Sequence, residues 1–351
     1  MSNSILSSVS SEPRRGAAVE AARPLLELDN LSTHYVSSQG TRVVRAVDNV
    51  SLRVNAGETV GIVGESGSGK STLALSILRV LPTAARIVSG HMWFEGEDLV
   101  RKSDVEMRHV RGKRIAMVLQ DPMASLNPLF TIGNQVAEPI RVHEGADRAT
   151  AWRRARELLK AVRIPSPETR VRQFPHEMSG GMRQRIVGAI GISCEPRLLI
   201  ADEPTTSLDL TIQAQYLNLL RDLQREHGLA LIFITHNLGI VAKMCDQLVV
   251  MYAGRVVESG PVSQVFNTPA HPYTQALLNA IPRMGDSRQR LTAIDGQPPD
   301  LSHMPKGCAF AARCPVAFDR CREEAPPTSN LTRGRTVRCW LANHQAQSGV
   351  A

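Results

Sequence analysis

Long apolar runs are missing from this chain. None approaches the roughly 18 residues that a membrane-crossing helix needs, so the sequence predicts a protein that does not span a bilayer. The opening stretch, Met1 to Arg23, is rich in Ser and Ala and lacks a basic segment followed by an apolar core. It reads as a disordered tail over residues 1–23 rather than a secretory signal, and a cytoplasmic setting is expected. Aromatic residues are scarce at 4%, which leaves little to stack on nucleic-acid bases. The net charge of +8 therefore carries little weight as a nucleic-acid signal. The short basic clusters Arg111-Gly112-Lys113-Arg114 and Arg153-Arg154 have no aromatics between them. A solvated face, or affinity for phosphates and anionic lipid, accounts for the charge equally well. Internal repeats of about 20–50 residues are also lacking, which sets solenoids aside.

What remains is a chain of 351 residues, 42% of them hydrophobic, enough to bury a full core and suggestive of two domains. Six cysteines in a cytosolic setting are free thiols or metal ligands sooner than disulfides. Cys194 and Cys245 stand alone in apolar stretches and read as small core residues. Cys308, Cys314, Cys321 and Cys339 cluster near the C-terminus without the tight Cys-x2-Cys pairing of common zinc sites. Their spacing leaves both a metal site, with zinc favoured, and four partly buried thiols open.

Leu25–Leu31 and Val43–Val54 alternate like strands across the turn Ser37–Gly40. Thr59–Val63 reads as a short apolar strand, Gly64–Gly69 as a glycine loop, and Lys70–Val80 as a helix ended by Pro82. From Asp121 to Arg185 the pattern turns helical and polar, with Ala149–Val162 the clearest amphipathic segment. Leu198–Ala201 and Leu229–Ile234 read as buried strands on either side of a helix over Thr211–His227. Strands alternating with helices predict an α/β fold, a sheet covered on both faces, interrupted by an inserted helical subdomain over about 121–185. Beyond Pro261 the chain is rich in Pro, Gly and Arg. The expected divisions are a tail over 1–23, a main domain over 24–260 and a small extension over 261–351.

Gly64-Glu65-Ser66-Gly67-Ser68-Gly69-Lys70-Ser71 fits the phosphate-loop pattern G-x4-G-K-[ST] between a strand and a helix. Glycines let backbone N–H groups wrap a phosphate without a Cβ in the way. The following helix, continuing through Thr72, offers its positive end. Lys70 would reach the β- and γ-phosphates, and the Ser71 hydroxyl would ligate Mg2+. The apolar strand ending in Ala201-Asp202-Glu203 sets two carboxylates where a second metal contact and a base are needed. Asp202 would hold Mg2+ through water and Glu203 would polarise the attacking water.

Phosphate loops serve many nucleotide hydrolases, but Met178-Ser179-Gly180-Gly181-Met182-Arg183-Gln184-Arg185 resembles the signature motif of ABC ATPases. Met178 replaces the usual leucine and Met182 the usual glutamine; the Ser-Gly-Gly centre is intact. Other elements of that family follow in order: Tyr35 where an aromatic stacks on adenine, Gln120 at the Q-loop, Ser207-Leu208-Asp209 at the D-loop, and His236 as the switch histidine. Gln120-Asp121-Pro122-Met123-Ala124-Ser125-Leu126-Asn127-Pro128 and Phe174-Pro175-His176-Glu177 narrow the likeness to oligopeptide/dipeptide permease ATPases. So do Ala201-Asp202-Glu203-Pro204-Thr205-Thr206 and the segment from His271 to Pro282. The wording around Met123 and Met182 is nearer the D-type subunit than its F-type partner.

The resemblance implies a P-loop NTPase core of RecA-like type with an antiparallel β subdomain, a helical subdomain and a cysteine-containing extension. It implies that ATP is sandwiched between one subunit's phosphate loop and the other's Ser179, Gly180 and Gly181. Gln120 would sense the γ-phosphate and Mg2+ at the junction with the helical subdomain, His236 would act in catalysis, and Asp209 of the D-loop would contribute to nucleotide binding. Expected partners are a second ATPase subunit (F-type, or another copy), two transmembrane permeases and an extracytoplasmic binding protein, at the cytoplasmic face of the inner membrane. Some members of the family carry a 4Fe–4S cluster on the four cysteines, so a cluster is implied here with zinc as the alternative. The cargo implied is a peptide, with nickel, an opine, glutathione or an oligosaccharide as alternatives. A soluble ABC ATPase acting on ribosomes or DNA is the rival of another class, but such chains carry two cassettes or long coiled coils. A scaffold with a degenerate site fits poorly, because Lys70, Asp202, Glu203 and His236 are all present.

Overall fold

The computed structural model describes residues 23–206, 208–280, 294–332 and 334–342. All but Arg23 of the tail expected over 1–23 lies outside the described residues, as does Ser207.

Alternation over residues 26–54 folds as a hairpin of β1 (Leu26–Val36) and β2 (Val43–Val54), with Leu26, Leu28, Val47 and Val50 turned into the core. The apolar β3 (Thr59–Val63) is buried along its whole length and runs into the glycine loop, after which α1 (Lys70–Leu78) begins. The helix expected to reach Val80 ends at Leu78, because Arg79 takes a left-handed conformation (φ 52°) and returns its N–H to Leu75 and Ser76. β4 (Ala85–Phe94) and β5 (Glu97–Asp98) complete an antiparallel sheet of order β2-β1-β4-β5. α2 (Asp104–Val110) starts on a reciprocal cap between Ser103 and Glu106 and leads to β6 (Ile115–Val118).

Five helices follow: α3 (Pro122–Ser125), α4 (Ile132–Glu144), α5 (Arg148–Ala161), α6 (Pro167–Arg170) and α7 (Gly180–Ile192). Their apolar faces, including Val136, Ile140, Ala151, Ala155 and Ile186, share a core with one face of the main sheet. The chain then returns to alternation: β7 (Leu198–Asp202), α8 (Leu210–His227), β8 (Ala230–Ile234), α9 (Leu238–Met244), β9 (Gln247–Tyr252) and β10 (Arg255–Pro261). Beyond it lie α10 (Val262–Asn267), α11 (Pro272–Asn279), α12 (Asp319–Glu323), β11 (Ser329–Thr332) and β12 (Arg335–Val337). Among the described residues, no helix is long and apolar enough to cross a membrane.

The main sheet has the order β11-β12-β10-β9-β3-β8-β7-β6, and its five strands from β9 to β6 are parallel. Such strands are buried on both faces, which is why β3, β7 and β8 read as uninterrupted apolar runs rather than alternating ones. Their register brings Ile62, Ile234 and Asp202 level. The chain therefore leaves β3, β7 and β8 at one edge, the carboxyl end of the sheet, where open α/β folds place their ligands.

The extension is tied into the main sheet. β12 pairs with β10, matching Glu258 with Val337 and Ser259 with Thr336, so the core sheet continues across residue 260. Glu258 is fully buried there and accepts the N–H groups of Ala270 and His271 and the Arg335 guanidinium, each at 2.9 Å. Four donors and acceptors that would be costly alone satisfy one another. Cys194 is buried as expected, and Cys245 packs between two apolar clusters with its Sγ against Gly61.

Candidate active site

The glycine loop owes its path to close backbone approach. Gly69 has φ +100°, and a Cβ there would run into the carbonyl oxygen of Ala46; one at Gly64 would strike the carbonyl of Met251. No larger residue fits at either position without moving backbone. Lys70 turns back over this loop, its Nζ donating to the carbonyls of Gly64 (2.8 Å) and Glu65 (2.9 Å). Burial lowers the Lys70 pKa, while Glu203, Asp202 and Glu65 pull it up. The amine is thus drawn into a partly desolvated position among acids, where a triphosphate would be its strongest partner.

A cavity of about 460 Å3 opens over the loop. Gly64, Glu65, Ser66, Gly67, Gly69, Lys70, Ser71 and Thr72 line it together with Gln120, Glu203 and His236. Residues from the ends of β3, β6, β7 and β8 are gathered there by the parallel register described above. Ser68 is buried beneath the loop, beside the Lys70 amine at 3.5 Å. Tyr35 does not line the cavity; its hydroxyl lies 3.3 Å from Thr72 Oγ1, at the cavity's margin.

Glu203 adopts φ 46°, a left-handed conformation uncommon for a residue with a side chain. Its Oε2 accepts from Gln120 Nε2 at 3.2 Å and Thr206 Oγ1 at 3.0 Å, and stands 3.3 Å from His236 Nδ1. Three groups from three separate segments thus fix one carboxylate oxygen. Asp202, one residue earlier, is buried, and its Oδ1 has no hydrogen-bond partner. Burial raises the Asp202 pKa, opposed by the Ser71 hydroxyl. A buried carboxylate oxygen with no donor, beside a serine hydroxyl, fits a divalent cation, whose charge would compensate what burial withholds.

Reasoning from sequence missed Ala46 on the cavity wall and the hold of Thr206 on Glu203. Thr206 stood in the quoted acidic motif, and its three-residue offset from Glu203 across a turn was the available signal.

Comparison with known proteins decides the family. The ABC transporter model matches residues 47–206, and the model for the oligopeptide/dipeptide transporter C-terminal region matches residues 257–321. A probable peptide ABC transporter ATP-binding protein, y4tR of Sinorhizobium fredii, is 50% identical over 91% of this chain and 95% of its own length. The chain belongs to the ATP-binding subunits of the oligopeptide/dipeptide ABC transporter family. The dipeptide transport ATP-binding protein DppD of Escherichia coli is 47% identical over 90% of this chain and 96% of its own length. Among solved structures, the ATP-binding cassette MJ0796 as a dimer in a post-hydrolysis state, bound to ADP and Pi, has a TM-score of 0.61. It is 27% identical and covers 68% of this chain and 98% of its own. This ABC subunit is an ATPase, and ATP is its nucleotide.

Four residues the resemblance assigned to the nucleotide stand apart from the cavity. Ser179 caps α7, its hydroxyl accepting Met182 N–H, and Gly180 beside it faces open space. Gly181 abuts Ile212. Asp209 caps α8, its carboxylate accepting the N–H groups of Thr211 and Ile212. None of the four lines the wall over Lys70.

The four extension cysteines do come together. All line one cavity of about 10 Å3 with His271, Phe310 and Trp340. Burial pushes the Cys308 thiol up to about 11, with the charges of Cys339, Cys321 and Cys314 adding to the effect. Burial raises Cys314 and Cys339 as well. Among the described residues, however, no three His, Cys, Asp or Glu groups converge closely enough to hold a metal ion. The expected cluster or zinc site is thus represented by its donors in one place, without a closed ligand set.

Proposed function

We propose that this subunit energises the import of oligopeptides or dipeptides by hydrolysing ATP between its own phosphate loop and the Ser179–Gly181 turn of a second ATPase subunit. The observation that carries the reading is the division of the site. Lys70, Ser71, Asp202, Glu203, Gln120 and His236 sit at one edge of the sheet, while Ser179 and Gly180 are exposed and do not line the cavity over Lys70. Lys70 and the loop amides bind the β- and γ-phosphates, and Ser71, Asp202 and Gln120 surround Mg2+. Glu203 accepts a proton from the attacking water, oriented by Gln120, Thr206 and His236. The partner's Ser179 and glycine amides complete the γ-phosphate cradle from the opposite side. One chain alone therefore supplies half of each of two sites. Peptide and dipeptide transport by the relatives supports peptide as cargo, with a binding protein and two permeases as further partners at the cytoplasmic face of the inner membrane. The proposed divisions remain a core over 24–260, with helices over about 121–185, and an extension over 261–351. Uptake of labelled dipeptide by cells with and without this gene tests the reading; equal uptake overturns the cargo.

Mg2+ must compete with a proton for Asp202. Because the folded pKa lies above the ordinary 3.8, the carboxylate is lost at a higher pH than usual, and the cation site fails earlier on acidification. The Mg2+ concentration for half-maximal ATP turnover should accordingly rise as the pH falls, and begin to rise at a higher pH than an ordinary carboxylate ligand would cause. A flat dependence would remove Asp202 from the metal.

For the cysteines, we infer a structural metal or iron–sulfur site, since Cys308, Cys314, Cys321 and Cys339 line one cavity and thiolates are the ligands of zinc and of such clusters. Anaerobically purified protein should absorb near about 400 nm or contain zinc. Neither signal would leave reduced thiols alone.

A further inference from the structure

The phosphate loop is gripped from outside the core. Arg313 belongs to the short turn Ala311–Arg313, between Cys308 and Cys314 in sequence, and its side chain is only 5% exposed. Its Nη1 donates to Glu65 Oε2 at 2.7 Å and its Nη2 to Glu65 Oε1 at 2.9 Å, a two-pronged pair across 248 residues of chain. The remaining donors are occupied: Nη1 also reaches the Tyr252 hydroxyl, Nη2 the Ile294 carbonyl and Nε the Asp295 carbonyl. The backbone of Glu65 is held from the same side, its N–H donating to Tyr273 Oη at 2.9 Å. Tyr273, Tyr252 and Phe310 pack edge and face with centroids 4.6–5.3 Å apart, so the turn carrying Arg313 is seated on a rigid aromatic base.

Glu65 is the second residue of a loop built to receive a polyphosphate. A bare carboxylate there would repel the ligand, and a flexible one would cost ordering when the ligand arrives. A planar guanidinium paired through both nitrogens removes the first problem by charge and the second by geometry. We propose that Arg313 is a positioning residue for the phosphate loop, through which the cysteine-bearing turn of the extension sets the affinity of this subunit for ATP. This rests on the reading that the loop holds the phosphates of ATP. Because coupling is reciprocal, nucleotide in the loop also steadies the turn and the cysteines on either side of it.

The test uses the full chain, Mg2+ and a fluorescent ATP analogue. Arg313→Ala should weaken binding about 10-fold. Arg313→Lys, which keeps the charge but not the fork, should fall between the two. Adding Glu65→Gln to Arg313→Ala should restore affinity to within about 2-fold of wild type, since the charge to be covered is gone. Mg2+-ATP should slow alkylation of Cys314 in the wild type and leave it unchanged in Arg313→Ala. Unaltered affinity in Arg313→Ala overturns the proposal. An equal loss in the double variant also overturns it, by reducing Arg313 to packing. Alkylation indifferent to ATP in the wild type severs the link to the cysteines. Failure of the wild-type chain itself to bind the analogue, with Lys70→Ala no worse, would instead count against the ATP site.

Discussion

Glu203→Gln is expected to bind ATP as tightly as wild type and to hydrolyse it about 10²-fold or more slowly, since a positioned base contributes about 10²–10⁴. The amide can still accept from Gln120 and Thr206, so the hydrogen bonds that hold this side chain need not collapse. What it cannot do is take a proton from water. The left-handed backbone at Glu203 is unaffected by the exchange, and the strain it carries stays where it was. Single-turnover hydrolysis with the partner subunit and Mg2+, beside equilibrium binding, separates the two quantities. Undiminished turnover would take Glu203 out of the chemistry and shift attention to His236, 3.3 Å away.

Lys70→Ala should do the opposite and act first on binding. Hydrogen bonds to charged groups contribute about 1.5–3 kcal/mol each, so losing the β- and γ-phosphate contacts should weaken ATP affinity about 10²-fold or more. The empty loop loses its internal brace as well, because Lys70 Nζ is what ties the carbonyls of Gly64 and Glu65 together. The thermal midpoint should change little in the absence of nucleotide, since the core residues of β3 and α1 remain packed. The rise in midpoint that Mg2+-ATP gives the wild type should disappear. Retained stabilisation by ATP would mean that the loop amides alone hold the nucleotide.

These two residues were legible in the primary structure for a local reason. Gly64 to Ser71 is one continuous turn whose demands, φ > 0, a missing Cβ, a cation and a hydroxyl, are written in consecutive letters. The carboxylates at the end of β7 followed from a buried strand that stops at two acids. The helical stretch was equally plain, because amphipathic period is a property of neighbours along the chain. Element ends were less so: α1 stops at Leu78 because Arg79 turns left-handed, and nothing in the identity of an arginine announces that.

Which elements stand side by side is a different kind of information. The order β9-β3-β8-β7-β6 brings Gln120, Glu203 and His236 around one cavity, although they are spread over more than a hundred positions. The grip of Arg313 and Tyr273 on Glu65, and the buried Glu258 that joins β10 to Arg335, depend on partners separated by dozens to hundreds of residues. The same holds for the four cysteines, whose uneven spacing left their meeting place open until the chain folded around Phe310 and Trp340. Short-range chemistry is read from residue order because backbone geometry carries it only a few residues. Pairing across the fold is chosen by burial and charge among all the surfaces that compete for it, and that choice is made by the whole molecule at once.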